Sequence, residues 1–421
     1  MKERYSGMTT RFLREDERLF STMEETLPLV IEPVDNSWDA NALQAFLTNN
    51  SKAILDDIAT YGAVLLRGFT VGSTKEFEQT VLSIQGMRGM SHLFMSEPGR
   101  HLVDGLDYVF HTNSKIKTGG TLHLGGFHNE NYYSPDVPSY ISFFCLSPAK
   151  SGGETGLINM GRVYEKLDAS LKEQLEKNPF FVSKWPLAVI ANRYKISLED
   201  AQKACVEFGL NLEENNHVVM HKPNVFKHPV TGENIIQANL CAELPALNDG
   251  ILTHFTRHYT GWNWMVHKAA WTFLGYQRLR KYSLMLPELI RHPVRFFRMQ
   301  KLIKQRISQY NSSPYPRIKS VFKPEDIQKL AALMHESYAS FLWKKGDVLL
   351  IDNLQIAHAG MPGKTCKKFP RTIRAMLCNP FKISYSKTAP GLQHTENLLD
   401  ATLGEIMQEI SDKSKELSHI S

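Results

Sequence analysis

The sequence predicts a mainly β protein, a β-sandwich or jelly-roll core with α decoration. Three observations predict it. Compact apolar runs bounded by turn residues recur at Gly62–Phe69, Ser139–Leu146, Gly346–Asn353 and Thr372–Pro380, and each reads as a buried strand. Helical spacing appears between these runs without a regular strand–helix alternation. Neither a G-x-G-x-x-G nor a Walker sequence is present, which disfavours a doubly wound sheet.

The elements follow in chain order. Trp38–Tyr61 carries Leu43, Phe46, Leu47, Ile54 and Ile58 at helical spacing, and a second helix is expected from Ser73 to about Gln85. Residues 86–127 are rich in Gly, His, Ser and Thr and read as long loops and short strands that line a site. The Ser139–Leu146 strand leads through the turn-rich SPAKSGGET into a short strand, GLINM. Val163–Leu171 and Leu198–Phe208 read as helices. Residues 218–240 read as a hairpin, VVMHKPNVF and IIQANL joined by HPVTGEN. Residues 251–310 are aromatic and basic, and Pro287 and Pro293 interrupt their helical pattern. Between Arg278 and Arg306 nine Lys/Arg stand against one acid, Glu288. About 395–415 an amphipathic helix is expected from Leu398, Leu399, Leu403, Ile406 and Ile410. The organisation expected is a single domain over 1–421. Its first core half is 60–250, a basic helical insert is 251–340, a second core half is 341–380 and a C-terminal helix is 395–415.

Composition bounds the function classes. With 421 residues, 42% hydrophobic and 22% charged, the chain is globular and not largely disordered. A net charge of +6 is too mild at this length to argue by itself for a nucleic-acid binder. The five cysteines are odd in number and form no C-x-x-C, so reduced thiols are expected rather than a disulfide framework or a zinc knuckle. The first twenty residues lack an apolar h-region, and no apolar run reaches the about 18 residues of a membrane span. A cytoplasmic location is the expectation.

The segment LGGFHNENYYSPDVPSY carries the chemistry. Residues two apart on an extended chain share a side, so His128 and Glu130 would project together. An imidazole and a carboxylate on one face are two-thirds of a facial triad, whose open positions suit non-haem Fe(II). His358, just past the apolar strand in GDVLLIDNLQIAHAGMPG, is the third candidate. H-x-E alone is a weak signal among 16 histidines and 43 acids, and a hydrogen-bonded structural histidine is an equal reading of His128. Thr155 in GGET and Arg371, 13 residues after His358, sharpen it. An arginine fork and a hydroxyl beside a metal suit the far carboxylate of 2-oxoglutarate. Arg371 and Arg374 are three apart, so on a strand they face opposite ways and only one should enter the site. His123 reads as a loop histidine, Asn129 and Asn131 as backbone partners, and Tyr132 and Tyr133 as packing or pocket wall.

The run of GAVLLRGF, HNENYY, PSYISFFCLSPAKSGGET, HPVTGE and WKKGDVLLIDNLQIAHAG…PRTIRAM resembles the taurine dioxygenase-like superfamily of Fe(II)/2-oxoglutarate oxygenases along roughly residues 60–380. It looks most like the branch that hydroxylates amino acids in peptide natural-product biosynthesis. The resemblance implies a double-stranded β-helix, iron ligands at His128, Glu130 and His358, and Thr155 and Arg371 for 2-oxoglutarate, with Arg374 in reserve. It implies Fe(II), 2-oxoglutarate and O2 as cofactor and co-substrates, and succinate and CO2 as products. Glu rather than Asp at the second ligand is similar to hydroxylases of the clavaminate and arginine/asparagine type, and argues against the halogenase variant. The expected substrate is an amino acid or a carrier-tethered amino-acyl group. The basic run 278–306 reads first as a solvated helical insert, second as a docking surface for an acidic carrier protein, and third as a nucleic-acid or membrane-surface patch. The alternatives are an oxygenase acting on protein or nucleic acid, and a non-catalytic binding relative.

Overall fold

The computed structural model describes residues 4–19, 24–35, 38–95, 101–112, 121–122, 126–177, 180–213, 216–238, 254–259, 265, 289–290, 293–294, 297, 323–365, 370–382 and 401–420. The first strands, β1 (Met8–Arg11) and β2 (Leu29–Pro33), pair antiparallel. Two helices follow, α1 (Ala40–Asn49) and α2 (Ser51–Tyr61), where one was expected. The break is at Asn50, which leaves helical geometry at φ −118° and turns its amide Nδ2 back onto Phe46 O. The five apolar residues of the pattern are nonetheless all buried. Gly62 ends α2 at φ +78°, a conformation glycine adopts without strain. The chain then enters β3 (Ala63–Leu66), and α3 (Thr74–Leu82) opens on a Ser73/Glu76 capping box.

The middle of the chain supplies β4 (Val109–His111), β5 (Thr121–Leu122), the long β6 (Asp136–Ser147), β7 (Ser151–Gly152) and β8 (Thr155–Asn159). The helix expected at Val163–Leu171 is two, α4 (Met160–Lys166) and α5 (Ala169–Lys177), because Asp168 turns the chain and accepts from Leu171 N. Next come β9 (Phe180–Pro186), α6 (Leu187–Tyr194), α7 (Leu198–Glu207), β10 (Asn211–Glu213) and β11 (His217–Pro223). The hairpin at 218–240 is shorter than expected. β11 pairs with β9 and β10, and only β12 (Val225–Lys227) and β13 (Asn234–Ile236) form the hairpin. Pro223, which has no N–H to donate, closes β11. The last part holds α8 (Pro324–Glu336), β14 (Tyr338–Phe341), β15 (Val348–Asp352), β16 (Ile356–Gly360), β17 (Gly363–Lys364), β18 (Thr372–Lys382) and α9 (Leu403–Ile420).

Among the described residues the larger sheet has the order β1-β2-β3-β15-β6-β18-β4, and a smaller one the order β14-β8-β16, with β5-β17-β7 as a third group. Period-two alternation explains the layers. Leu65, Phe143, Leu349 and Ile351 of the larger sheet meet Leu157, Phe341 and Ile356 of the smaller one in a shared core. Their neighbours Val64, Leu66, Val348 and Leu350 face outwards, into a second core with Leu43, Leu47, Ile54, Ile58, Phe77 and Val81 of α1–α3. Ile158, Ala357 and Tyr338 of the smaller sheet face a third core with Val163 and Met334 of α4 and α8. Strands buried on both faces must be apolar throughout, which is why β3 and β15 read as continuous runs. The result is a jelly-roll core of mainly β structure wrapped by helices.

One polar device crosses the end of this core. Arg67 is 3% exposed and donates from Nε and Nη2 to Asp347 at 3.1 and 2.6 Å, and from Nη1 to Glu17 at 2.9 Å. Arg67→Ala leaves a buried carboxylate without its counter-charge, and a loss of about 3–5 kcal/mol is expected. Urea unfolding measures it as a lowered midpoint at unchanged slope.

Cys145, Cys205 and Cys378 are free and buried; Cys241 and Cys366 lie outside the described residues. No described helix is long and apolar enough to cross a membrane. The basic run 278–306 lies mostly outside the described residues. Within it Ile290, Val294 and Phe297 are helical and exposed.

Candidate metal centre

The three candidate ligands meet at one point between the sheets. On β16 the alternation sends Ile356 and His358 inwards and Ala357 and Ala359 outwards, and the His358 ring stands 5.2 Å from that of Phe143. His128 lies opposite His358 in an isolated antiparallel bridge. His128 N donates to His358 O at 3.2 Å, and His358 N donates to His128 O at 3.0 Å. This reciprocal main-chain pair sets the two ring centres 4.6 Å apart. Glu130 arrives by a turn rather than on the extended strand the spacing suggested, with Asn131 behind it at φ +53°.

Glu130 Oε2 is 3.8 Å from Nε2 of His128 and 3.8 Å from Nε2 of His358. These are too long for hydrogen bonds. Ligand atoms of all three residues lie within 4.8 Å of one another. Two imidazoles in adjacent positions on one octahedral ion have ring centres roughly 4.5 Å apart, given bonds near 2.1 Å. The donor set therefore fits a single ion, and its two nitrogens and one oxygen suit Fe(II). His128 Nδ1 lies 2.9 Å from Gly126 O. A carbonyl only accepts, so the proton sits on Nδ1 and the lone pair on Nε2 faces the acid. Side-chain exposure is 43% for His128 against 7% for Glu130 and 5% for His358, so His128 is the most exposed of the three.

The sequence reading missed the residue that holds this turn. Asn353 Oδ1 accepts from Glu130 N at 2.6 Å, and its Nδ2 donates to Glu130 O at 3.1 Å and Pro138 O at 2.8 Å. Asn129 Nδ2 in turn donates to Asn353 O at 2.7 Å, while its Oδ1 accepts from Ala238 N. An Asn after a strand reads only as a turn former. Its partner is 223 residues away and leaves no local signal. Asn353→Ala is expected to weaken metal binding about 10–100-fold. Anaerobic Fe(II) titration, with the far-UV spectrum as the folding control, reads it.

Of the two co-substrate candidates, Thr155 stands opposite Gly360 of β16, two residues along from His358. Thr155 faces inwards at the start of β8, and its Oγ1 accepts from Trp343 Nε1 at 3.1 Å, which leaves its own O–H to donate. Arg371 donates from Nε to Gly153 O at 2.9 Å, two residues from Thr155. Burial pulls its guanidinium down to about 10. The GGET loop is pinned by Gly153 N to Pro362 O at 2.8 Å and Met361 N to Glu154 O at 2.9 Å. At Gly152 (φ +62°) a Cβ would come within 2.7 Å of Pro362 O, so glycine is required.

A bulge between Thr372 and Ile373 sets the register of β18 and puts Arg374 opposite Phe144, whose ring faces the outer core. Arg374 thus faces away from the sheet interior. Asn129 bonds main chain as expected. Asn131 does not: it is 2% exposed, and its amide atoms have no hydrogen-bond partner among the described residues. Tyr132 packs in the core with its OH on Pro223 O, Tyr133 stands 6.3 Å from Trp185, and His123 lies outside the described residues.

A jelly roll with two imidazoles and a carboxylate converging between its sheets is the architecture of the non-haem iron, 2-oxoglutarate-dependent dioxygenases. Residues 31–376 match the family described as taurine catabolism dioxygenase TauD, TfdA family, and the chain belongs to it. It is accordingly an oxidoreductase that depends on Fe(II), 2-oxoglutarate and O2. It is 22% identical over 362 residues to a clavaminate synthase-like protein of Arabidopsis thaliana, covering 83% of this chain and 93% of that one. Among solved structures it is similar to a taurine dioxygenase from Burkholderia xenovorans, at 12% identity and TM-score 0.46 over 96% of this chain and 99% of that one. The PvcB protein from Pseudomonas aeruginosa is similar at 11% identity and TM-score 0.46, over 89% of this chain and 91% of that one.

Proposed function

We propose that this dioxygenase hydroxylates an amino acid or an amino-acyl group, with His128, Glu130 and His358 holding the iron and Thr155 and Arg371 holding the 2-oxoglutarate carboxylate. The observation that carries the reading is the reciprocal bridge between His128 and His358, which brings two imidazoles to one carboxylate. Bound iron supplies the oxidising power, drawn from O2 and the decarboxylation of 2-oxoglutarate to succinate. The chain's part is orientation and exclusion of water. Gly126 O fixes the His128 tautomer, and Asn353 fixes the turn of Glu130. The Arg371 fork and the Thr155 hydroxyl receive the co-substrate's far carboxylate. The Phe143 ring, 5.2 Å from that of His358, presents an apolar wall to water on that side of the centre.

Two features support an amino-acid substrate. The acidic ligand is Glu, as in the amino-acid hydroxylases this sequence resembles, and the Arabidopsis relative is described as clavaminate synthase-like. The test is anaerobic addition of Fe(II) and 2-oxoglutarate, watched for the weak visible charge-transfer band of the chelate. A screen of free and carrier-tethered amino acids for coupled succinate release in air follows. The band with amino-acid-stimulated succinate supports the reading. The band with succinate release that no amino acid stimulates rejects the substrate class.

The basic run 278–306 is the docking surface we propose for an acidic carrier. Reversal of Arg291, Arg295 and Arg298 to Glu should slow turnover of a carrier-tethered substrate at low salt by about tenfold or more while sparing a free one. Equal rates on both would reject the docking surface.

A further inference from the structure

Two buried carboxamides close to the iron centre make no side-chain hydrogen bond within the fold. Asn131, the residue after Glu130, is 2% exposed, and Gln237 is 1% exposed. Among the described residues Oδ1 and Nδ2 of Asn131 and Oε1 and Nε2 of Gln237 have no hydrogen-bond partner. Native proteins satisfy the large majority of their buried side-chain polar atoms, so four orphans in two side chains call for a cause.

Three hydrogen bonds set the two residues in one closed ring of chain. Ala238 N donates to Asn129 Oδ1 at 3.1 Å, Gln237 N donates to Asn224 O at 2.8 Å, and Tyr132 OH donates to Pro223 O at 2.7 Å. Segments 129–132, 223–224 and 237–238 thus close on one another, and Glu130 is part of the ring. Asn131 also holds a left-handed backbone at φ +53°, a conformation that clusters at functional sites when the residue is not glycine.

We propose that Asn131 and Gln237 bind the substrate, through the amino and acyl groups that every amino acid or amino-acyl unit carries. The inference rests on the amino-acid reading above and deepens it. The donor chemistry selects the ligand. A carboxamide oxygen only accepts and its nitrogen only donates. A carboxylate or sulfonate alone would satisfy the two nitrogens and strand the two oxygens. An ammonium alone would do the reverse, and an apolar ligand would strand all four atoms. An α-amino acid has an N–H donor and an acyl oxygen on adjacent carbons, so one ligand answers both kinds of atom. Its amino hydrogens go to Oδ1 and Oε1, and its acyl or carboxylate oxygen accepts from Nδ2 and Nε2.

The test uses the full chain with Fe(II) and 2-oxoglutarate bound anaerobically, and calorimetry reads binding apart from turnover. The probes are the twenty common L-amino acids, their aminoacyl thioesters, and the deamino acids that keep each side chain and carboxylate. A probe that wild type binds should bind Gln237→Leu and Asn131→Gly at least about tenfold more weakly. Its deamino counterpart should bind wild type at least about tenfold more weakly than the amino acid, and both variants should narrow that gap. Leucine removes two orphan atoms at nearly constant shape, so Gln237→Leu without substrate should melt no lower than wild type. Glycine suits the left-handed backbone at 131. If Asn131→Gly loses the Fe(II)–2-oxoglutarate band, Gln237→Leu decides. Wild-type affinity and an unchanged deamino gap in the variants would overturn this inference alone, and would leave the orphan atoms to water. A wild type that binds no amino acid and no thioester would overturn the substrate class, and this inference with it.

Discussion

His358→Ala is expected to abolish the Fe(II)–2-oxoglutarate band and to cut succinate formation more than about 100-fold, beyond the 10–100-fold typical of residues that only support a ligand. The fold should survive. The contacts that tie position 358 to position 128 are main-chain N–H to carbonyl bonds at 3.0 and 3.2 Å, and alanine keeps both. What is lost is one imidazole and its edge contact with Phe143. A melting temperature within several degrees of wild type, together with no retained iron, is therefore the expected pair of results. Iron retained at wild-type affinity would remove His358 from the centre.

Arg371→Ala is expected to raise the KM for 2-oxoglutarate about 100-fold. A guanidinium–carboxylate pair in a desolvated site is worth about 3 kcal/mol, and each 1.4 kcal/mol is tenfold. Arg374→Ala should leave that KM within about threefold of wild type, because such a change is worth under 1 kcal/mol. The contrast rests on the bulge at Thr372/Ile373, which turns Arg374 to the face of Phe144 while Arg371 reaches Gly153 O. Alternation alone says that the two arginines point apart and does not say which points inwards. Initial rates over a range of 2-oxoglutarate concentrations, with substrate saturating, measure both variants. The reverse ranking would exchange their roles.

The strongest elements were legible where one physical cause dominated. β3 and β15 are buried on both faces, so their apolar runs stand out whatever surrounds them. The convergence of the H-x-E pair with distant His358 was foreseeable because chemistry restricts which side chains can share an ion, and ligand atoms of the three do lie within 4.8 Å of one another. Helix breaks were not, since Asn50 and Asp168 interrupt helices with side-chain bonds while the apolar spacing runs on through them. The pairing of β11 with β9 and β10 was hidden for a different reason. A hairpin signal in HPVTGE is local, and nothing local reveals that the strand before it belongs to another sheet. Asn353 was hidden in the same way, its work lying wholly in contacts distant in sequence.

The bridge between His128 and His358 also bears on biosynthesis. A ribosome makes the first histidine and the acid long before the second imidazole, and β16 can pair with β8 only once both have emerged. An unfinished nascent chain thus has at most two of the three side chains to offer a ferrous ion. With the iron held as proposed, oxygen activation would in this way be withheld from translation intermediates until both strands are in place.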